Sequence, residues 1–470
     1  MPLLACYNPR MKAIQVVGGG LAGSEAAWQA AQRGHPVVLF EMRPLSRTGA
    51  HTGGELAELV CSNSLGSQLP DRASGMLLAE LEQMGSLLVE CARLTAVPAG
   101  GALAVDRRAF SAQVTRRLLE HPGIELIREE VKSIPEGFAV IASGPLTSER
   151  LAAELIRLSG EENLYFFDAI SPIVEAGSVD RSIAFRESRY GRGSTDQGDY
   201  LNCPMSKAEY VDFVGALLSA ERIPLRSFES EIEAGVRAGA DRYFEACLPI
   251  EILAERGEQS LAFGPLRPVG LRDPRTERRP YAVVQLRQDD LAGSLYNLVG
   301  FQTNLKFPEQ RRVFRMIPGL QSAQFARYGQ MHRNTFVNSP KLLRATLQLR
   351  TRGELLLAGQ ITGVEGYLGN IGTGLLAGMN AARLMDGDPP YVLPPETMLG
   401  ALCNYVSQAA PGNFQPMKAN FGILPPLGSQ AGLDRRGRAR AFVERGAAAL
   451  RVADVGSKAE LRIATQVSSS

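Results

Sequence analysis

The sequence lacks long apolar runs and any segment typical of secretion. No uninterrupted apolar stretch approaches the ~18 residues that cross a bilayer, so we predict no transmembrane helix. The N-terminal residues MPLLACYNPRM are too short for a signal peptide and have no apolar core. These absences argue against a membrane protein, and we expect a cytoplasmic protein without a membrane partner.

Paired cysteines are also missing, because the six cysteines are scattered and no C-x-x-C pair is present. This spacing argues against a zinc site and against a disulfide framework, and it is typical of the reducing cytoplasm. Each thiol is therefore expected to be either a buried residue that packs in the core or a reactive group. The six are Cys6, Cys61, Cys91, Cys203, Cys247 and Cys403.

A large net charge is absent as well. The 51 Lys and Arg residues nearly balance the 49 Asp and Glu residues, for a formal net charge of +2. Any nucleic-acid surface must therefore be a local basic patch rather than a property of the whole chain. The 470 residues, 45% of them hydrophobic, suffice for two or three domains that each bury a core.

What the sequence does contain is a nucleotide-binding signature in residues 14–41, IQVVGGGLAGSEAAWQAAQRGHPVVLFE. An apolar run leads into G-x-G-x-x-G, an Ala-rich helical segment follows, and a second apolar run ends in an acid. This order is that of a βαβ unit that binds a dinucleotide pyrophosphate. The alternative is a glycine-rich turn in an ordinary α/β domain.

Each position in this signature has a physical role. Gly18 allows the tight turn, Gly20 removes a Cβ that would collide with the phosphates, and Gly23 lets the helix approach the strand. The N–H groups at the start of the helix face the phosphates. Glu41 accepts hydrogen bonds from a ribose and disfavours a 2′-phosphate, so FAD or NAD is preferred over NADP. The predicted cofactor contacts here are Gly18, Gly19, Gly20, Leu21, Ala22, Gly23 and Glu41.

Two later segments are predicted to reach the same cofactor. A predicted strand runs into residues 142–145, and such an exit lies beside the cofactor in flavoproteins with two dinucleotide domains. The apolar strand 354–358 leads into a glycine-rich helix start, where small residues let a helix press on a flavin. The candidate contacts Gly359, Gln360 and Gly372 favour FAD, and close helix packing is the alternative reason for the glycines.

These patterns predict an α/β protein in which an inserted α+β domain interrupts a Rossmann-type FAD-binding domain (GR2-like). We place the first part of the FAD-binding domain at 11–170, the insert at 171–325 and the second part at 326–450. Residues 1–10 and 451–470 are expected to be flexible ends.

Three local patterns predict individual elements. Leucines at helical spacing predict one helix over residues 76–91, and the Asn-Cys-Pro sequence at Cys203 is typical of a structural turn. Residues 433–451 predict a basic helical tail. Its arginines include Arg435, Arg436, Arg438 and Arg440.

Five motifs occur in an order that is specific to one family. They are ELVCSNSL around Cys61, NCPMSKAEY around Cys203, YFEACLPIE around Cys247, GQITGVEGY from Gly359 and FQPMKANFGILPP from Phe414. Together they resemble the folate- and FAD-dependent tRNA (uracil-5-)-methyltransferases, the TrmFO family, over nearly the whole chain. The related GidA/MnmG flavoproteins share the fold without this set. One departure is the Leu-Gly-Asn that follows Gly-Tyr, where the family has an acidic residue and a serine.

The resemblance implies a chemistry. Such an enzyme forms ribothymidine at position 54 in the T-loop of tRNA, with carbon from 5,10-methylenetetrahydrofolate and electrons from FADH2, which NADH or NADPH regenerates. Uracil C5 becomes nucleophilic only after an addition at C6, for which a thiolate is the best side chain. By family position Cys247 is the nucleophile, and Cys61 is a general base or handles the flavin-borne methylene. A buried structural role is the alternative for each thiol.

The resemblance also suggests where the substrates bind. His332, in GQMHRN, matches a family segment and is the candidate to stack on the pterin of the folate, although a lone histidine is more often structural. Two arginine-rich loops are candidates to bind the T-arm, because phosphates attract clustered arginines; a solvated arginine run is the alternative. The RNA-binding candidates are Arg189, Arg192, Arg275, Arg278 and Arg279.

Other functions are compatible with parts of this pattern. A GidA/MnmG-like flavoenzyme, or another FAD-dependent oxidoreductase that acts on a small molecule, is one alternative, and the latter predicts turnover without RNA. A non-catalytic FAD-containing RNA-binding factor is the other, and it predicts tRNA binding that survives the loss of both thiols.

Overall fold

The computed structural model describes residues 13–46, 48, 51–160, 164–191, 198–223, 248–428 and 433–453. Within these residues no helix is both long enough and apolar enough to cross a bilayer. The helices are α1 Leu21–Ala31, α2 Ala73–Gln83, α3 Leu87–Leu94, α4 Arg107–Leu119, α5 Glu149–Ser159, α6 Lys207–Ser219, α7 Ile250–Glu255, α8 Ser260–Phe263, α9 Phe307–Phe314, α10 Ser339–Leu342, α11 Tyr367–Asp386, α12 Met398–Gln408 and α13 Arg435–Val452. The strands are β1 Ile14–Val17, β2 Val37–Phe40, β3 Ser64–Ser67, β4 Ala96–Val97, β5 Ala102–Val105, β6 Ile124–Ile127, β7 Ala139–Ile141, β8 Leu164–Ala169, β9 Ile173–Glu175, β10 Phe185–Glu187, β11 Tyr200–Met205, β12 Ala282–Gln288, β13 Leu295–Leu298, β14 Phe325–Arg327, β15 Met331–Phe336, β16 Leu355–Leu357, β17 Val364–Glu365 and β18 Met417–Lys418.

A five-stranded parallel sheet contains the first strand of the chain at its centre. The strand order is β16-β7-β1-β2-β6, and Val16 pairs with Leu39 on one side and with Val140 on the other. The inner strands are buried runs of Val, Ile and Leu, as expected for a parallel sheet that is covered on both faces. The predicted α/β class with a Rossmann-type sheet is confirmed.

Helices α1 and α11 pack against each other in backbone contact. A Cβ on Gly374 would lie 2.2 Å from the carbonyl oxygen of Ala22, and a Cβ on Gly378 would lie 2.3 Å from that of Ala26. Only glycine fits at these two positions, because a backbone carbonyl cannot rotate away as a side chain can. Close helix packing therefore accounts for two of the glycines in this segment.

The inserted segment forms a six-stranded sheet with the order β10-β11-β12-β13-β9-β14. Its pairings are antiparallel, and a hydrophobic core of its own includes Phe213 on α6 and Phe314 on α9. The chain enters this segment after β8 and leaves it before β15, and these two strands pair with each other. The domain boundaries near residues 170 and 326 stay a prediction.

The turn predicted at Cys203 is wrong, because Cys203 lies inside β11, where burial raises the pKa of its thiol to about 12. The strand tolerates Pro204 because the opposite residue, Val283, donates its N–H to a carbonyl outside β11. Burial also raises the pKa values of the Cys91 and Cys403 thiols to about 12. None of the four cysteines that the structure describes forms a disulfide.

The single helix predicted over residues 76–91 is also wrong, since the chain forms α2 and α3 with a break between them. Gly85 adopts a φ of +74° in this break, which ends α2. Ser86 then caps α3, and the fully buried carboxylate of Glu25 on α1 accepts the next two N–H groups. The break therefore depends on a partner that is distant in the sequence.

A second buried carboxylate, Glu80 on α2, caps α12 by accepting the N–H groups of Met398 at 2.7 Å and Leu399 at 3.0 Å. Burial raises the pKa of Glu80 from 4.5 to about 7 despite these bonds. The folded protein therefore holds this proton more tightly than the unfolded chain does. The resulting stabilisation is fully present below pH 4.5 and is lost as the pH rises through 7.

We expect the variant Glu80→Gln to remove this contribution to the pH dependence of stability. In the wild type, Glu80 alone lowers the free energy of unfolding by about 3 kcal/mol between pH 4.5 and pH 8, by linkage. Urea unfolding followed by the fluorescence of Trp28, the one tryptophan, measures this slope. Glu82→Gln, at an exposed position of the same helix, is the control, and equal slopes in the two variants would contradict the assignment.

Candidate functional site

A cleft with an empty volume of about 1000 Å³ opens at the carboxyl ends of the central parallel strands. Open α/β sheets bind their ligands at this edge. The predicted loop exit at 142–145 forms part of its wall. The lining residues come from 17–18, 20–22, 40–43, 129–131 and 142–148, together with Thr48, His51, Glu58, Val60, Leu151, Gly359, Gln360, Tyr367 and Asn370.

The turn between β1 and α1 has the geometry that the glycine signature predicts. A Cβ on Gly23 would lie 1.8 Å from the carbonyl oxygen of Gly18, so only glycine allows α1 to pack this closely on the strand. At Gly20, by contrast, a Cβ would meet no protein atom within 4 Å. Leu21 and Ala22 line the cleft beside it. The protein alone does not require glycine at position 20, whereas a ligand held against this turn would.

Two helix N-termini face the cleft without a side-chain cap. The N-cap residues of α1 and α11 are Gly20 and Gly366, and neither has a side chain that accepts the first N–H groups. Asn370, in the first turn of α11, lines the cleft, and its Oδ1 atom is buried with no hydrogen-bond partner among the described residues. Buried polar atoms nearly always have partners. These groups therefore fit the pyrophosphate and the polar ring edge of a flavin dinucleotide.

The predicted contacts differ in how directly they face the cleft. Gly359 and Gln360 line it, whereas Gly19 and Gly23 lie behind the turn. Gly372 does not line it, since a Cβ there would lie 2.8 Å from a side-chain carbon of Leu399 on α12. The structure thus places Gly372 in helix packing.

Glu41 lies in the cleft wall at the end of β2, as predicted, but its carboxylate is already engaged by the protein. It accepts the N–H of Gly19 at 3.0 Å and three hydrogen bonds from Arg43. Burial raises the pKa of Glu41, but hydrogen bonds and attraction to Arg43 outweigh burial and leave that pKa below its ordinary value. The carboxylate is therefore charged, and a ribose hydroxyl must share or displace one of these donors.

Cys61 lies at the edge of the cleft and is partly exposed. Its backbone N–H donates to the hydroxyl oxygen of Tyr367 at 2.9 Å, and the N–H of Ser62 donates to the same oxygen at 3.1 Å. Tyr367 and Val60 both line the cleft. Burial raises the pKa of Tyr367, and the Cys61 thiol acts in the same direction. The neutral phenol therefore fixes the backbone at the candidate catalytic thiol.

Three arginines from distant parts of the chain surround the Cys61 loop. Arg107 donates to two backbone carbonyls just before Cys61, at 3.1 and 3.2 Å. Arg287 on β12 donates to the side chains of the two residues just after it, both at 2.7 Å. Arg327 on β14 interacts electrostatically with Cys61 and with Arg107. The six-stranded sheet thus supplies two of the three cations at the Cys61 loop.

This cluster holds more positive than negative charge. Asp289 pairs with Arg107 at 3.1 Å, while the Nη2 atom of Arg107 is buried with no hydrogen-bond partner in the described part of the chain. Burial lowers the pKa values of Arg287 and Arg327, and repulsion from Arg107 acts in the same direction. Such surroundings stabilise an anion, and a thiolate beside arginines is favoured over the thiol.

The described geometry does not include the side chains of three predicted residues. Cys247 and Arg192 lie outside the described residues, and the backbone of His332 lies in β15, opposite Asp168. The position of the predicted nucleophile, Cys247, relative to the cleft therefore lies outside what the structure describes.

The RNA-binding candidates that the structure describes divide into engaged and exposed residues. Arg189 donates to the side chain of Gln285 and to a backbone carbonyl, and Arg275 forms a two-point ion pair with Asp273. Arg278 and Arg279 are exposed. Arg275 is exposed as well, but its guanidinium is held by Asp273, so Arg278 and Arg279 are the freer candidates to meet phosphates.

Sequence reasoning did not single out the residues that hold Cys61, and it noted Asn370 only as part of the Leu-Gly-Asn departure from the family. Tyr367 and Asn370 stand in or next to the quoted motif GQITGVEGY, which was the available signal. Arg107, Arg287 and Arg327 gave no local signal, because they reach Cys61 from separate elements of the chain.

We expect Tyr367→Phe to weaken catalysis while the fold is kept. The substitution removes the one oxygen that accepts the N–H groups of Cys61 and Ser62, and each buried donor left unpaired costs ~1–3 kcal/mol. The Cys61 loop should then lose its fixed position, with a fall in kcat of about 10-fold or more. Tyr405→Phe removes an exposed hydrogen bond to the Gln415 carbonyl and serves as the control. Equal kcat values in the two variants would contradict the positioning role.

Comparisons with known proteins identify the family to which this chain belongs. The family model described as "Glucose inhibited division protein A" matches residues 13–389. A protein of Synechococcus sp. (strain JA-3-3Ab) named "Methylenetetrahydrofolate--tRNA-(uracil-5-)-methyltransferase TrmFO" is 56% identical over 437 residues, which cover 93% of this chain and 94% of that protein. A protein of the same name from Thermosynechococcus vestitus is 58% identical over 418 residues, which cover 89% of each.

The fold is similar to that of a solved relative. The structure of Aquifex aeolicus GidA (form II crystal) has a TM-score of 0.67 and 15% sequence identity, and the match covers 98% of this chain and 77% of that one. This likeness supports the fold, whereas the sequence identity with the methyltransferases decides the family. The resemblance inferred from the five motifs is confirmed, and the chain belongs to the TrmFO family of GidA-related proteins.

Proposed function

We propose that this protein is a methylenetetrahydrofolate--tRNA-(uracil-5-)-methyltransferase that methylates C5 of uridine 54 in the T-loop. The names of its relatives support the carbon donor, the tRNA substrate and the uracil-5 position. The observation that carries the proposal is a partly exposed Cys61 held beside a dinucleotide cleft by a cluster of arginines. A thiol in such surroundings is suited to proton transfer at a pyrimidine rather than to a purely structural role in packing.

The residues of the cleft would hold FAD in an extended arrangement. The turn at Gly20 and the N-terminus of α1 would bind the pyrophosphate, while Gln360 and Asn370 would contact the ring system. When bound, the flavin supplies two electrons from NADH or NADPH, and the folate supplies the one-carbon unit. His332 remains the candidate to stack on the pterin.

The side chains of the protein would act on the uracil itself. The Cys247 thiolate adds to C6, and the electron pair released at C5 forms the new bond to the one-carbon unit. The Cys61 thiolate then takes the proton from C5, the carrier of the one-carbon unit leaves with the electron pair of its bond to that carbon, and an exocyclic methylene forms at C5. Arg327, which interacts electrostatically with Cys61, would favour the charged form of this thiol before the step. Two electrons and a proton, equivalent to a hydride, then add to this methylene to give the methyl group, and expulsion of the Cys247 thiolate restores the C5–C6 double bond.

The direct test is product formation. Purified protein is incubated with unmodified tRNA transcript, 5,10-methylenetetrahydrofolate, FAD and NADH, and the RNA is digested to nucleosides. We expect 5-methyluridine at position 54, and none from a transcript with cytidine at that position. S-adenosylmethionine in place of the folate should give no product.

The rival functions predict other outcomes of this assay. NADH turnover that is independent of RNA, with no 5-methyluridine, would indicate a flavin oxidoreductase. Binding of tRNA that survives loss of both thiols, without any modified base, would indicate a non-catalytic RNA-binding factor. Either result would contradict the methyltransferase proposal.

A further inference from the structure

A second groove lies between the start of α2, the loop at residues 419–422 and helix α13. Two aromatic rings stack in its wall, since the ring centroids of Phe421 and Phe442 are 5.5 Å apart at an angle of 12°. The first turns of α13 carry four exposed arginines, whose side chains form no ion pair or hydrogen bond within the described residues. These are Arg435, Arg436, Arg438 and Arg440, and the first three line the groove.

This arrangement of charge is unfavourable for folding. The N-terminus of a helix is the positive end of its dipole, so each arginine in the first turn costs ~0.3–1 kcal/mol. Arg435 and Arg438 lie three residues apart on one face, where like charges repel. The nearby carboxylates offset only part of this charge, because Asp434 is a single acid at the helix cap and Asp71 already pairs with Arg72. A surface of this kind is stabilised when a polyanion binds.

We propose that this groove binds the sugar–phosphate backbone of tRNA, at a position separate from the two arginine-rich loops that the sequence singled out. The inference rests on the proposed function, which supplies a tRNA as the polyanion. Arg435, Arg436 and Arg438 neutralise phosphates, and the Phe421–Phe442 pair provides an apolar wall for a ribose or a base. Because phosphate contacts position without reading sequence, the groove sets affinity and register.

The groove is joined to the cleft by a short structural path. The loop at 419–422 directly follows β18, in which Lys418 pairs with Glu365 of β17. Tyr367, which lines the cleft and holds Cys61, follows Glu365 by two residues. Chain dimensions therefore keep the groove within about 25 Å of Tyr367. One folded tRNA can contact both places at once.

The test uses the full-length, FAD-loaded protein with the double variant Arg435→Ser/Arg438→Ser. The matched control is Arg116→Ser/Arg157→Ser, which removes the same charge from exposed positions of α4 and α5. The dissociation constant for an unmodified tRNA transcript is measured by filter binding over a range of KCl concentrations. We expect the groove variant to bind at least 10-fold more weakly, and the slope of log K against log salt to fall by about 1.5, because each lost phosphate contact removes ~0.7–0.9.

Activity and stability supply independent readouts. The groove variant should raise KM for tRNA and leave kcat at saturating tRNA unchanged, since these arginines do not touch the reacting atoms. Its melting temperature should equal or exceed that of the wild type, because unfavourable charge has been removed from α13.

Three results would overturn the inference. An unchanged dissociation constant and salt slope in the groove variant would exclude the contact, and the proposed function would stand if 5-methyluridine still forms. Weaker binding to phosphatidylglycerol vesicles with unchanged tRNA affinity would assign the groove to a membrane surface. A wild-type protein that neither binds nor modifies tRNA would refute both the groove and the methyltransferase proposal.

Discussion

Replacing Cys61 by alanine is expected to lower 5-methyluridine formation by about 10²- to 10⁴-fold, the usual contribution of a positioned general base. The flavin should remain bound, because Cys61 lies at the edge of the cleft and does not line it. The matched control is Cys403→Ala, since burial keeps that thiol protonated by raising its pKa to about 12. Product is measured by nucleoside analysis and flavin by its absorbance.

Trapping with 5-fluorouridine RNA separates the two thiols. With fluorine at C5 the proton cannot be removed, so the covalent adduct at C6 accumulates. We expect the adduct in Cys61→Ala and its absence in Cys247→Ala. The reverse pattern would exchange the two roles, and adduct formation by both variants would contradict the thiol mechanism.

The substitutions Gly20→Ala and Gly23→Ala are expected to have different effects, the first on FAD binding and the second on the stability of the fold. A Cβ at Gly23 would lie 1.8 Å from the carbonyl oxygen of Gly18, so Gly23→Ala should destabilise the fold itself. A Cβ at Gly20 meets no protein atom within 4 Å. Gly20→Ala should therefore leave the melting temperature of the FAD-free protein unchanged but weaken FAD binding about 100-fold or more, because the methyl group occupies space that the pyrophosphate needs.

The control for this pair is Gly215→Ala on α6, where a Cβ would also meet nothing within 4 Å. Alanine there should raise stability slightly through its helix propensity and leave FAD affinity unchanged. Flavin fluorescence gives the affinity, and circular dichroism gives the melting temperature. Equal FAD affinities in Gly20→Ala and the wild type would refute the position assigned to the pyrophosphate.

The sequence was sufficient where the determining contacts are local. Residues 14–41 contain two strands, the helix between them and the turn, so their spacing alone predicts the βαβ unit and the role of Gly23. Residues 142–145 were placed correctly because they follow a strand of the same sheet. The helix predicted over residues 76–91 failed because Glu25, on another helix, supplies part of the cap that starts α3.

The surroundings of the thiol were beyond sequence reasoning for a related reason. Arg287 reaches the Cys61 loop from β12 of the six-stranded sheet, and the sequence around it is like that of any other strand. Gly372 was assigned to the cofactor because a glycine that packs on Leu399 and one that faces a ligand look alike in sequence. The atoms that lie next to a glycine are set by the folded structure and cannot be read from the sequence around it.

The contact between α1 and α11 limits where this protein can move. With Gly374 pressed on the Ala22 carbonyl and Gly378 on that of Ala26, sliding either helix would drive backbone into backbone. The two uncapped helix ends are therefore held in a fixed register, because a shift along either helix axis would bring backbone atoms into collision.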